Sequence, residues 1–178
     1  MPWWIPARHF MPTNSRNEKR PVKPKVYIET SILGYLTAWR SRDMIVAANQ
    51  ETTKEWWDNR EQFDLYIFAL VVQEVKFGDP KAARRRLERL NRIPEIDVTE
   101  EAESFSDVLL EKVSLPEKAR IDALHIAVAT LGGMDYLLTW NCTHIANAIL
   151  RPRVEAVCRE FGHEPPTICT PRELRRYD

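Results

Sequence analysis

The sequence predicts a three-layer α/β/α fold around a mainly parallel sheet of four to five strands. Two observations carry this. Short β-branched and aromatic runs (VYI at 26–28, FDLYIFA from Phe63, DYLLTW from Asp135) recur along the chain, each followed by a stretch of helical character. Strand and helix alternate throughout, the signature of a parallel sheet with helices on its faces. A length of 178 residues fits one domain with a core of its own.

The elements follow in order. Residues 1–24 are rich in Pro and basic residues, without periodicity, and read as a flexible tail; 25–178 form the domain. Trp3 and Trp4 are candidate stacking surfaces for RNA, and Met11 is a candidate alternative start. VYI is the first strand, SILGYLT a short helix, and Ser41 the expected cap of a long helix through Glu61. Ile45, Ala48, Thr52 and Trp56 lie along one face of that helix at helical spacing. Trp56 and Trp57, as neighbours, are not expected to point directly into the same core; packing of both at a helix edge is the favoured reading, and an exposed one, like Trp39, would serve a partner groove or a dimer.

FDLYIFA is the second strand, and the helix after it ends at Gly78. Asp79-Pro80 opens a basic helix, EIDV is a short third strand, and Thr99 caps the helix TEEAESFSDVLLEKV. Pro116 is expected to open the next helix, which Gly132-Gly133 ends. DYLLTW is the fourth strand. The segment from Cys142 to Gly162 reads as helical with a break near Pro152, TIC as a short last strand, and PRELRR as a final helical turn or two.

Composition narrows the function classes. The hydrophobic content is 44% and the formal net charge zero, so no global basic signature points to nucleic acid. Charge is nevertheless uneven: KAARRRLERLNR (81–92) carries Arg84, Arg85, Arg86 and Arg89, which serve either as a phosphate-binding face or as a solvated helix surface. Glu88 stands four residues after Arg84, close enough to pair with it. No window reaches 18 uncharged apolar residues, so no membrane span is expected. Cys142, Cys158 and Cys169 lack metal-ligand spacing and suit free thiols in a cytoplasmic protein.

Four polar residues interrupt apolar sequence: Glu29 in VYIETS, Glu74 in LVVQEV, Asp122 in ARIDALHIAVA and Asn141 in LLTWN. A buried carboxylate needs a partner or a cation. Three arriving from distant segments at the carboxyl edge of a parallel sheet suit a hard divalent cation, Mg2+ or Mn2+. Simpler roles exist for each. Glu29 can cap the helix starting at Thr30 or Ser31. Glu74 can pair with Lys76 or an arginine. Asp122 can bridge to Lys118 or His125, and Asn141 can cap the following helix.

In order along the chain, VYIETSILGYL, Glu74, IDALHIAVA and LLTWN resemble the motifs of PIN domains, and chain size resembles the VapC-like toxins of toxin–antitoxin pairs. The resemblance implies a metal-dependent endoribonuclease with an RNA substrate, an antitoxin protein that holds it inactive, and the possibility of a homodimer. It assigns Glu29, Glu74, Asp122 and Asn141 to the catalytic site, the three carboxylates as ligands of Mg2+ or Mn2+. Thr30, Ser31 and Thr139 would orient those ligands.

Two positions depart from the pattern. Glu29 stands where Asp is usual, and Asn141, often Asp, adds no charge. With at most three negative charges, one firmly held cation is expected, a second arriving only with RNA. Asp122 is the preferred acceptor of a water proton, with His125 and His144 as further acid–base candidates. The chief alternative is a PIN-like module that binds RNA or protein without cutting; a DNA or flap-type nuclease ranks below it.

Overall fold

The computed structural model describes residues 22–175. Trp3, Trp4 and Met11, with most of the expected tail, lie outside them; Val22–Pro24 are exposed and without regular structure. β1 (Lys25–Ile28) has Val26, Tyr27 and Ile28 fully buried, as expected for a strand covered on both faces. It pairs in parallel with β2 (Asp64–Phe68) on one side and β4 (Tyr136–Leu138) on the other. β3 (Glu95–Ile96) extends the sheet beyond β2, and β5 (Thr167–Cys169) beyond β4. The order is β3-β2-β1-β4-β5 with every pairing parallel, so the five-stranded α/β fold agrees with the sequence reading.

Helices flank this sheet. α1 (Thr30–Thr37) packs with α2 (Met44–Asp58) and α4 (Pro80–Leu90). α5 (Glu100–Lys112) packs with α6 (Arg120–Leu131) and α7 (Arg151–Glu160). The short α3 (Ala69–Glu74) continues directly from β2. Asp79 and Thr99 cap α4 and α5 through Ala82 N and Ala102 N, at 2.8 and 3.2 Å. Gly133, at φ +62°, takes the left-handed turn that follows α6.

Four local expectations are corrected. Asp43, not Ser41, caps α2: its Oδ1 accepts from Ile45 N and Val46 N, both at 2.9 Å, and a carboxylate suits the positive helix end better than a hydroxyl. The buried face of α2 is Gln50, Thr53, Trp56 and Trp57, while Ile45 is 75% exposed. Both tryptophans are buried, as the favoured helix-edge packing has it, each against its own neighbour. Trp56 stacks on Phe63 at 5.8 Å, and the Arg60 guanidinium lies 4.7 Å over Trp57. Pro116 opens a 3-10 turn (Glu117–Ala119) rather than α6 itself, closed by Ala119 N donating to Pro116 O. Residues 142–150 are turns, and Pro152 sits in the first turn of α7, where its missing N–H costs nothing. Asn147 ends the turn segment by accepting from Ile149 N and Leu150 N.

Arg86 ties α4 to the end of α3. Its guanidinium donates to Val75 O, at 3.0 and 2.8 Å, and to Phe77 O at 2.6 Å, satisfying carbonyls of the turn that follows α3. Arg84 instead pairs locally with Glu88 at 3.1 Å and is largely exposed. Arg86→Ala should therefore lower the unfolding free energy by about 1–3 kcal/mol, the cost of leaving such carbonyls unmatched. Arg84→Ala should leave the urea midpoint nearly unchanged. Chemical denaturation of the two variants beside wild type checks both.

Candidate functional site

The strand order reverses between β1 and β4, and in open parallel sheets ligands sit beyond the carboxyl ends of the strands at such a point. Glu29 follows β1 and Thr139 follows β4, so the two face each other across that position. The Glu29 backbone N–H donates to Leu138 O, and Thr139 N to Cys169 O, carrying the sheet ladder to its rim.

Glu29 is only 6% exposed and fully engaged. Its Oε1 accepts from Ser31 N at 3.1 Å, capping α1. Its Oε2 accepts from the Ser31 hydroxyl and from Thr139 Oγ1, the latter at 2.6 Å. Ser31 Oγ in turn accepts from Trp140 N, and Thr139 Oγ1 accepts from Asn141 N, both at 2.8 Å. The capping role open to Glu29 from sequence is thus the one it plays.

Asp122 lies in the first turn of α6. Its Oδ1 accepts from Asn141 Nδ2 and its Oδ2 contacts His144 Nδ1, both at 2.8 Å. Asn141 Oδ1 accepts from His144 N at 3.1 Å, so the amide orients Asp122 and fixes the turn that carries His144. Glu29, Thr139, Asn141, Asp122 and His144 therefore form one hydrogen-bonded chain.

Glu74, the last residue of α3, joins through the neighbouring residue of α1. Its Oε2 accepts from the Thr30 hydroxyl and stands 3.3 Å from His125 Nε2. Burial alone would raise the Glu74 pKa. The donors on His125 and Thr30, and the charge His125 can carry, outweigh burial and hold it below the ordinary carboxylate value. His125 is 2% exposed, with Nδ1 hydrogen-bonded to the buried hydroxyl of Tyr27. Burial first, then the charges of Glu29 and Glu74, push the Tyr27 phenol well above its usual value.

All the expected site residues, Thr30, Ser31 and Thr139 included, thus gather at one edge. The arginines divide. Arg86 serves α3, and Arg85 donates to Thr37 O at 3.2 Å while lying 5.3 Å over Trp39; only Arg84 and Arg89 remain exposed. Neither Lys76 nor Lys118 pairs with a site carboxylate among the described residues; histidines take those places. The support that Tyr27 gives from the core was not foreseen, because a tyrosine in a buried strand carries no sequence signal of where its hydroxyl points.

The donors suit a hard cation in kind: carboxylate and amide oxygens, with no thiolate among them. As the side chains stand, each carboxylate faces protein donors, and among the described residues no three His, Cys, Asp or Glu side chains form a metal-ready cluster. Glu74 Oε1 has no protein partner among the described residues, and each singly bonded oxygen of Asp122 retains a lone pair. The set suits a divalent cation by the chemistry of its donors.

No family model matches the sequence, and no curated protein matches it. Solved structures do. VapC20 of Mycobacterium tuberculosis, described as a sarcin-ricin loop cleaving toxin, is 19% identical with a TM-score of 0.53, covering 66% of this chain and 91% of that one. VapBC2 from Rickettsia felis, solved with a DNA fragment from its promoter, is 14% identical with a TM-score of 0.53, covering 82% and 98%. The chain therefore has the PIN-like fold of the VapC toxins, the fold its sequence motifs resemble.

Proposed function

We propose that the chain is a metal-dependent endoribonuclease, the toxin of a toxin–antitoxin pair acting in the cytoplasm. One observation carries this reading: at the carboxyl edge of a VapC-like sheet, Glu29 is linked to Asp122 through Thr139 and Asn141, and Glu74 is hydrogen-bonded by Thr30, the residue between Glu29 and Ser31. Glu29, Glu74 and Asp122 would hold Mg2+ or Mn2+. Such a cation, when bound, offsets charge on a phosphodiester and acidifies a water. Asp122 accepts the proton of the attacking water, held for that task by Asn141 and His144 on its two oxygens. Glu74 arrives already ionised, since its partners favour the anion. Of the α4 cluster, Arg89 and Arg84 are exposed, Arg84 beside its partner Glu88, and they are the ones placed to meet RNA phosphates.

VapBC2 supports a protein partner by analogy. Trp56 and Trp57 are buried, which removes them from any docking surface; Trp39 (84% exposed), Met44, Ile45 and Phe77 are among the large apolar side chains left outside. We assign the antitoxin contact, or a second copy of the chain, to that region. Among the described residues no helix is long and apolar enough to cross a membrane.

A second reading has its own support: both oxygens of Glu29 are already hydrogen-bonded by Ser31 and Thr139, as in a binding module that does not cut. Incubation with structured and single-stranded RNA in Mg2+, Mn2+ or EDTA separates the two. Wild type should cleave only with metal. Asp122→Ala should lower the rate by at least about 100-fold, the range for loss of a proton acceptor. Absence of metal-dependent cleavage, together with no Mn2+-induced rise in Tm, would establish the binding module instead.

The ionised Glu74 also sets a pH dependence. Its folded pKa is depressed, so it contributes stability present above its unfolded pKa and lost as pH falls through the folded value. In metal-free protein, the stability gap between wild type and Glu74→Gln should be open at neutral pH and close in acid. Urea midpoints measured from pH 7 downward would show it.

A further inference from the structure

Trp140 stands between Thr139, which holds Glu29, and Asn141, which holds Asp122. Two hydrogen bonds fix it. Its backbone N–H donates to Ser31 Oγ at 2.8 Å, and its indole N–H donates to Thr53 Oγ1 of α2 at 2.7 Å. Thr53 is fully buried and donates onward to Asn49 O, so the ring cannot swing away without breaking a buried bond. Tyr35 of α1 lies against the Trp140 ring, with centroids 5.5 Å apart and planes tilted by 34°.

Packing accounts for Trp140 and leaves Tyr35 over. Trp140 borders the hydrophobic core, whereas Tyr35 belongs neither to that core nor to the residues packed on it. Both rings are partly exposed. Tyr35 comes four residues after Ser31, on the same face of α1 and about 6 Å of helix rise from it. Ser31 is the residue whose hydroxyl holds Glu29, so the aromatic pair stands about one helical turn from the site.

The chemistry of the pair selects one kind of ligand group. The indole N–H is already given to Thr53, which leaves the Trp140 ring its π surface alone to offer. In RNA, the flat group that such a surface takes is a base. Paired bases in a helix are covered by their neighbours, so the nucleotide that can reach the rings is an unpaired one.

We propose that Tyr35 and Trp140 form a stacking platform for an unpaired base beside the cleaved phosphodiester, which directs the site to single-stranded or looped RNA and tolerates any base there. The link to a cleaved bond rests on the nuclease reading above; the stacking of a base does not.

The test uses the full chain in EDTA, so that no cleavage enters. The probes are single-stranded oligouridylate, the same strand paired with oligoadenylate, and a ribose-phosphate strand of equal length without bases. Wild type should bind oligouridylate more tightly than the baseless strand. Tyr35→Ala should weaken oligouridylate binding by about 5–150-fold, the range for one stacked base, and leave the duplex and the baseless strand unchanged. Tyr35→Phe, which keeps the ring, should bind as wild type does. Oligouridylate should also quench tryptophan emission, and Trp140→Phe should lose that quenching while keeping most of the affinity. The proposal is overturned if wild type binds oligouridylate no better than the baseless strand, or if Tyr35→Ala changes nothing or weakens all the probes alike. Quenching that persists in Trp140→Phe overturns it too, and moves the stacking to another tryptophan such as Trp3 or Trp4. Should Trp140→Phe fail to fold, the two Tyr35 variants decide alone. Binding that depends on the base and on Tyr35, without cleavage in Mg2+ or Mn2+, would overturn the nuclease reading and leave the platform standing. Metal-dependent cleavage of oligouridylate at the same rate in Tyr35→Ala would do the reverse.

Discussion

The constraint on which the rest of the structure depends is a carboxylate held almost out of water at the end of the central strand. Glu29 survives there because Ser31 and Thr139 surround it with donors, one from each side of the strand crossover. A lone buried carboxylate would take up a proton or pull the strand end open. The Thr139 bond does more than satisfy a charge. It joins the rim of β4 to the rim of β1, and Thr139 also accepts from Asn141 N. The loop after β4 is thereby drawn over the site, bringing Asn141 to Asp122 on α6. One acidic side chain thus specifies where three elements end relative to one another.

That role explains the longer side chain. The usual caps are Ser, Thr, Asp and Asn, whose oxygens reach the second or third helical N–H directly. Glu29 reaches Ser31 N with one more methylene, so its carboxylate can bend back on α1 and still meet Thr139. Helix α1 begins with no acidic residue in its first turn, which leaves Glu29 as the anion at its positive end. On the metal-dependent reading proposed above, capping and cation binding would draw on the same oxygens. A cation would share them with Ser31 and Thr139, or the hydroxyls would turn to support it.

The parts of the fold that read well from sequence are those set by local chemistry. β1 and β4 are buried on both faces, so their apolar runs stand out, and the polar residue ending each run marks the site. The caps at Asp79 and Thr99 are local as well. What was misread depends on neighbours distant in sequence. The buried face of α2 is fixed by Phe63, Arg60 and Trp140, whose indole donates to Thr53 at 2.7 Å, so propensity and spacing within the helix pointed to the wrong stripe. The basic run on α4 looked uniform, yet its members part ways because α3 ends beside Arg86 and Trp39 beside Arg85. The link from Tyr27 to Glu74 spans three elements and leaves no trace at any one of them.

The partners the site lacks also bear on its purpose. Acidic residues retained for stability are commonly matched by arginine or lysine, and elsewhere this protein does so: Arg120 pairs with Asp107 and Glu117, and Arg151 with Glu173. Among the described residues, neither arginine nor lysine pairs with Glu29, Glu74 or Asp122. Their partners are hydroxyls, an amide, backbone N–H groups and two histidines, which orient a carboxylate without permanently neutralising it. A fold needing only rigidity at this edge would do better with an arginine. On the metal-dependent reading proposed above, charge compensation would be left to a ligand, and oxygen donors are of the kind a hard divalent cation takes.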